Sequence, residues 1–281
     1  MAYHRIYKYT SIGRPLEPAY LSNKVVLILL PLGALLGVIT AWMDGLSGVQ
    51  LLQQALSFLL IVFGAWALAR KLDPDDHAAA FISMAAAVFA ALIIDTPGIL
   101  IVFTTIGLVR IVNRSTGLVA RMGDSVVVML LSLLVIYSTK SPFFGVVAAL
   151  AFILDGSLKE PLRHQWVFGL VCLGGTIVYM VDHDIGLGHL SPPDALFEWL
   201  ALLFLLIFAL NMLLLKKVHS KGDINGKKLG LSRVRGGMAV GLFAALQGIM
   251  RPDEVVIIVA TIAGICIGMA FRKGFKAPVT G

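Results

Sequence analysis

Apolar residues are grouped along this chain into ten stretches that lack the strict alternation of a half-buried strand. Within lipid a chain satisfies its backbone amides only as a helix or as a closed barrel, and barrel strands alternate apolar and polar positions. The pattern therefore predicts an all-α, polytopic membrane bundle of about ten transmembrane helices. The predicted segments are 25–43, 49–69, 78–94, 97–112, 125–138, 142–154, 165–181, 196–215, 237–250 and 254–271.

Two of these segments are short for a membrane crossing. Segments 142–154 and 237–250 have about 14 residues, which as helices span roughly 20 Å against a hydrocarbon core of roughly 30 Å. Either flanking polar residues complete these helices or a hairpin is re-entrant. Removing one hairpin leaves eight crossings and keeps both termini on the same side.

Positive charge alternates between the two sides of the predicted bundle. Of the 23 lysines and arginines, 21 fall on the side of both termini, and only Lys140 and Arg251 fall on the other side. Because cytoplasmic loops carry an excess of Lys and Arg, we expect both termini to be cytoplasmic. This topology accounts for the net charge of +7. We therefore expect the positive charge to face a bilayer with anionic headgroups, and we expect no nucleic-acid partner.

Composition indicates one membrane domain and little else. Hydrophobic residues make up 58% of the chain and charged residues 14%, and the mean hydropathy is +0.91. We expect a cytoplasmic tail at 1–24, a single transmembrane domain at 25–271 and a second cytoplasmic tail at 272–281. No targeting segment is recognisable, which favours a bacterial cytoplasmic (inner) membrane.

Pairs of glycines spaced four residues apart recur on three of the predicted helices. Such pairs let two helix backbones approach closely. Close packing matters in lipid because the hydrophobic effect does not drive helices together there. They predict either a homodimer interface or internal packing of the bundle. The pairs are Gly33-x-x-x-Gly37, Gly237-x-x-x-Gly241 and Gly264-x-x-x-Gly268.

The richest polar stretch lies at the cytoplasmic end of the fourth predicted helix. If that helix continues, Arg110 and Arg114 share one face near the headgroup boundary. Guanidinium groups beside hydroxyls suit a phosphate, so we expect a site for a lipid phosphate, a nucleotide or another anion. Ordinary topology signalling is the alternative. The candidate residues are Arg110, Asn113, Arg114, Ser115, Thr116 and Arg121.

Carboxylates occur on the same predicted face, at Asp73, Asp76, Asp124 and Asp155. If they converge, they form an acid cluster that could hold Mg²⁺ beside a phosphate. Helix capping by the Asp-Pro-Asp-Asp stretch is the alternative for the first two.

Elsewhere the candidates are fewer. A cavity at mid-membrane would be lined by Thr104, Thr105, Asn211 or Gln247, and no ionisable group is evident at that depth.

On the outer face, a loop with two histidines and several carboxylates could bind a divalent metal. Its candidate ligands are Asp182, His183, Asp184 and His189.

Three functions are consistent with this pattern. A transporter or facilitator of a small or lipidic solute fits the size and topology. A membrane enzyme acting on a lipid phosphate at the cytoplasmic face fits the Arg and Asp residues, and would require Mg²⁺. A non-catalytic assembly or regulatory subunit fits the glycine faces and the nearly uncharged mid-membrane region.

Overall fold

The structure, a computed structural model, describes residues 5–13, 16–18, 20–93, 98–187, 195–250 and 252–275. Within these residues it is all-α, with ten long helices and no strand, which confirms the all-α class and the ten predicted helical segments. A short 3-10 helix, Arg5–Lys8, precedes them. The ten helices are α1 (Leu21–Met43), α2 (Val49–Leu72), α3 (His77–Ala91), α4 (Ile99–Asn113), α5 (Met122–Thr139), α6 (Pro142–Ser157), α7 (Gln165–His183), α8 (Leu196–Leu214), α9 (Leu231–Met250) and α10 (Pro252–Phe275).

The two segments that looked short are longer as helices. α9 begins at Leu231, six residues before its apolar segment, and its first turns include the polar residues Arg233 and Arg235. Its 20 residues correspond to roughly 30 Å of helix. α6 has 16 residues and begins at Pro142, whose missing N–H costs little in a first turn.

Five helices are long and apolar enough to cross a membrane: α1, α2, α5, α7 and α8. α8 shows most clearly what their outer surfaces are like, because among its side chains only Leu205 and Phe208 are buried. Large apolar side chains such as Leu206 and Leu213 are instead exposed on it. An exposed apolar surface of this extent suggests a membrane protein.

The glycine pairs lie against other helices of the same chain. A Cβ atom on Gly37 would lie 2.5 Å from the carbonyl oxygen of Gln54 in α2, and one on Gly268 would lie 2.6 Å from the Cα atom of Ala79 in α3. A Cβ atom on Gly241 would lie 2.6 Å from the Leu72 side chain. Internal packing therefore occupies the three faces that the sequence offered for a homodimer.

The polar connections predicted to be cytoplasmic meet at one end of the bundle, as far as the structure describes them. The segment before α1 contacts the end of α4, where Arg110 donates a hydrogen bond to the Ile12 carbonyl, and the α4–α5 loop, where Thr116 donates to the Ser11 carbonyl. The α6–α7 loop contacts α9, where Arg233 donates to the Lys159 carbonyl. The α8–α9 connector contacts the α2–α3 loop through Ser220 and Asp75. We call this region the basic end of the bundle.

We expect Gly268→Ala to destabilise the bundle by about 1–3 kcal/mol, because the added methyl group overpacks the α3–α10 contact. Gly174→Ala in α7 is the control, since a Cβ atom there meets nothing within 4 Å. The control should be neutral or stabilising by up to about 1 kcal/mol, because alanine favours helix more than glycine does. Unfolding in detergent measures the free energy of unfolding of both variants. Equal changes in that free energy would contradict the close packing of Gly268.

Candidate anion site at the basic end of the bundle

One buried carboxylate joins three elements at the basic end. Asp155, near the end of α6, is fully buried and accepts both Arg114 and Arg233 on its Oδ1 atom. The Arg114 Nε atom donates at 3.0 Å, and the Arg233 Nη1 atom donates at 2.6 Å. Two guanidinium groups thus share one carboxylate, which leaves this buried group with a net positive charge.

Arg114 reaches Asp155 because α4 ends one residue before it. Its backbone has φ 48°, in the left-handed region, and its N–H caps the helix by bonding to the Arg110 carbonyl. The left-handed conformation is strained for a residue with a side chain, so the ion pair must offset it. The shared face predicted for Arg110 and Arg114 required the helix to continue, and α4 instead ends at Asn113.

Beside this group is a cavity of about 350 Å³ whose walls are strongly basic. Arg114 and Arg233 are its buried cations, and exposed lysines at its rim add to the charge. Glu160 is the acidic residue of the lining, and its side chain is 76% exposed. The lining residues are Asn113, Arg114, Gly117, Lys159, Glu160, Asn225, Lys227, Lys228, Leu229, Gly230, Ser232 and Arg233.

Two features within the cavity wall favour an anion. α9 begins there, with Gly230, Ser232 and Arg233 in the lining, and the first N–H groups of a helix attract negative charge. In addition, the buried Nη1 atom of Arg114 donates no hydrogen bond among the described residues and lies 3.9 Å from a Glu160 oxygen. A phosphate oxygen in the cavity would supply the missing acceptor.

The structure separates the six predicted anion-site residues. Asn113 and Arg114 line the cavity, whereas Arg110, Thr116 and Arg121 donate hydrogen bonds to carbonyls of residues 7–12. Ser115 is buried, and its N–H donates to the Asn113 side chain. Half of the predicted set therefore holds the N-terminal segment against the bundle.

Asp124 completes this attachment of the N-terminal segment. Its carboxylate accepts hydrogen bonds from the Thr10 hydroxyl and from the Ser11 N–H, both at 2.6 Å, and from the Ser11 hydroxyl. The Ser11 hydroxyl oxygen in turn accepts the Arg121 N–H. Asp124 is thus satisfied by the chain itself.

Asp73 and Asp76 lie apart from Asp155, beside Arg272 near the end of α10. The Arg272 Nη1 atom is 3.7 Å from Asp73 Oδ2 and 3.6 Å from Asp76 Oδ2. Asp76 also caps α3 by accepting the Ala79 N–H, which matches the capping alternative. The four predicted carboxylates therefore have three different surroundings, and no group of three or more His, Cys, Asp or Glu among the described residues could hold a metal.

Burial raises the pKa of Asp73 from 3.8 to about 6, and Arg272 opposes this shift. Since the folded protein then binds this proton more tightly than the unfolded chain, Asp73 lowers the stability as the pH rises from about 4 to about 6. For Asp75, burial also acts to raise the pKa. Hydrogen bonds from the Ser220 hydroxyl and from the His219 and Ser220 N–H groups outweigh it and lower that pKa.

The four polar residues proposed for mid-membrane differ in their surroundings. Thr104 bonds to the Leu100 carbonyl of its own helix. Thr105 and Gln247 are fully buried, and neither the Thr105 hydroxyl nor the Gln247 amide has a hydrogen-bond partner among the described residues. Asn211 lies near the end of α8, where it lines a cavity at the basic end instead.

The proposed outer-face metal ligands are only partly described, because His189 lies outside the described residues. The His183 ring stacks on Tyr179 with centroids 4.1 Å apart, and its Nδ1 atom lies 3.4 Å from Asp182. Asp184 has a left-handed backbone that ends α7. Stacking and helix termination therefore account for the described part of this loop.

Sequence reasoning missed Arg233 as a site residue. Among the basic residues of the α8–α9 connector and the start of α9, nothing in the sequence separates it from its exposed neighbours. Its pairing with Asp155 joins positions 78 residues apart and needs the folded bundle.

Comparison with models of protein families, with curated proteins and with solved structures gave no match.

We expect Asp155→Ala to destabilise the protein by about 3–5 kcal/mol, because it leaves two buried guanidinium groups without their carboxylate. Glu160→Ala also removes one carboxylate near Arg114, but from an exposed position, and should cost less than about 1 kcal/mol. Thermal unfolding in detergent compares the two variants. Similar losses would mean that Asp155 does not hold the site together.

Proposed function

We propose that this chain is a multi-pass protein of a bacterial cytoplasmic membrane, with its basic end and both termini in the cytoplasm. Two observations support this placement. The helices expose apolar surfaces, and the basic connections share one end of the bundle. The sidedness of Lys and Arg then sets the orientation.

On this placement, we propose that the protein is a transporter or facilitator of a small or lipidic solute that carries an anionic group. The observation that carries the proposal is the basic cavity, in which Arg114 keeps an unused donor beside a shared carboxylate. Such a cavity attracts an anion from the cytoplasm or from the headgroup layer.

The shared carboxylate gives a physical route from binding to movement. Asp155 couples α6 to the end of α4 through Arg114 and to the start of α9 through Arg233. An arriving anion competes with Asp155 for both guanidinium groups, so binding weakens the connections that hold these three elements together. A solute can shift such an equilibrium only by binding one arrangement more tightly than the other.

An enzyme acting on a lipid phosphate is the second candidate, because Arg114 does contact one of the predicted carboxylates. In that case Asp155 would orient Arg114 against the phosphate. The two candidates differ in outcome, since an enzyme releases a chemically changed product and a transporter does not.

The topology predicts which side of the membrane each loop faces. With Cys172 and Cys266 replaced by alanine, we expect Lys221→Cys to react with an impermeant maleimide only in inside-out vesicles. Asp44→Cys, at the opposite end of α1 from the N-terminal segment, should react only in right-side-out vesicles. Labelling of both from one side would contradict the topology, and reversed labelling would contradict the orientation.

The anion site predicts a loss of transport in specific variants. Proteoliposomes loaded with radiolabelled phosphate, and others with fluorescent phosphatidic acid in one leaflet, test a free and a lipidic anion. We expect Arg114→Lys to lower the flux of one of these about tenfold or more, because lysine keeps the charge but loses the planar set of donors. Lys227→Glu should also lower it, since Lys227 lines the cavity.

Lys221→Glu is the matched control, because Lys221 is an exposed residue of the same connector but is not part of the lining. It should leave the flux nearly unchanged. If the three variants lowered the flux equally, the cavity would not be a specific anion site, and the positive charge of the whole surface would explain the effect. Release of phosphate from phosphatidic acid, lost in Arg114→Lys, would favour the enzyme.

A further inference from the structure

A second and larger cavity, of about 720 Å³, lies at the basic end between the α2–α3 loop, the end of α8, the α8–α9 connector, α9 and α10. Its volume is within the range of small-molecule sites. One part of its wall is apolar and includes Leu72, Leu214, Val234, Met238 and Met269. The other part is charged and includes Asp73, Lys216, Lys217 and Arg272.

Asp73 is the buried polar group in this wall that lacks a donor. The residue is 6% exposed, and its Oδ2 atom accepts no hydrogen bond among the described residues. Its neighbour Arg272 remains 3.7 Å away, beyond hydrogen-bond distance. By contrast, Asp75 in the same lining is occupied by His219 and Ser220.

The backbone adds negative potential next to Asp73. α2 ends at Leu72 and α8 ends at Leu214, so the C-termini of two helices border the cavity. Helix C-termini favour a positive charge. A protonated amine would therefore supply the donors that Asp73 lacks in the place where the helices favour a cation.

An anion fits the three basic residues of the same cavity wall, Arg272, Lys216 and Lys217. Lys216 and Lys217 are exposed, and Arg272 is 34% exposed and lies 3.6 Å or more from its two carboxylates. Arg272 also lines a second, mainly apolar groove of about 520 Å³ on the outer face of α3 and α10, with Ala78, Ile82 and Phe271. A ligand at Arg272 can thus continue along an apolar surface.

We propose that this cavity binds a zwitterion with a primary ammonium group and a phosphate, as in the headgroup of phosphatidylethanolamine. The ammonium group donates to Asp73, the phosphate contacts Arg272 and the neighbouring lysines, and the acyl chains lie along the α3–α10 groove. This site is separate from the Arg114 cavity, and the proposal rests on the membrane placement but not on transport.

Native mass spectrometry of the full chain in detergent tests the proposal with added phosphatidylethanolamine and, for comparison, phosphatidylcholine. The choline headgroup keeps the charge and the phosphate but has no N–H to donate. We expect phosphatidylethanolamine to bind about tenfold more tightly, and Asp73→Asn to remove that preference. Free phosphoethanolamine tests whether the ligand is a lipid or a soluble molecule. If it displaces phosphatidylethanolamine effectively, the site belongs to the soluble zwitterion.

Asp76→Asn is the matched control, because it removes a carboxylate 3.6 Å from Arg272 that lines the α3–α10 groove and not the large headgroup cavity, and asparagine still caps α3. It should keep the preference for the ethanolamine headgroup. Lys227→Glu, which changes the Arg114 cavity, should keep this preference too. A failure of the anion-site proposal can therefore be told apart from a failure of the zwitterion proposal. Equal binding of the two lipids, or an unchanged preference in Asp73→Asn, would overturn the proposal.

Discussion

The Asp155 carboxylate is the constraint on which the basic end of this protein depends. It is fully buried, and its Oδ1 atom receives guanidinium groups from two elements that lie far apart in the sequence. Removing a charge from water is costly, so this group is stable only while all three partners stay in place. The left-handed turn at Arg114, the position of the α6–α7 loop and the start of α9 are therefore set together.

The same positive charges that indicate sidedness also hold the loops together. Arg110 and Arg121 bind carbonyls of the N-terminal segment, and Arg233 binds carbonyls of Val112, Lys159 and Glu160. Arginine suits this role because its several donors have a fixed planar geometry. The lysines of this end are mostly exposed, which leaves them available at the rims of the two cavities.

The two cavities differ in what they can bind because their buried charges differ in sign. The smaller cavity is built around two arginines that share one carboxylate, so it favours an anion. The larger cavity has the buried Asp73 without a donor, two helix C-termini and an apolar wall, so it favours a zwitterion with an apolar portion.

The sequence by itself determined the ten helices, the all-α class and the grouping of polar connections at one end, because continuous apolar stretches and alternating charge are local properties of the chain. It also singled out Arg114 and Asp155 as candidates. Only the tertiary structure decided that these two residues meet, that Arg233 joins them, and that Arg110, Thr116, Arg121 and Asp124 hold the N-terminal segment. Partner choice among buried charges depends on distances across the bundle, and residue type and spacing do not encode those distances.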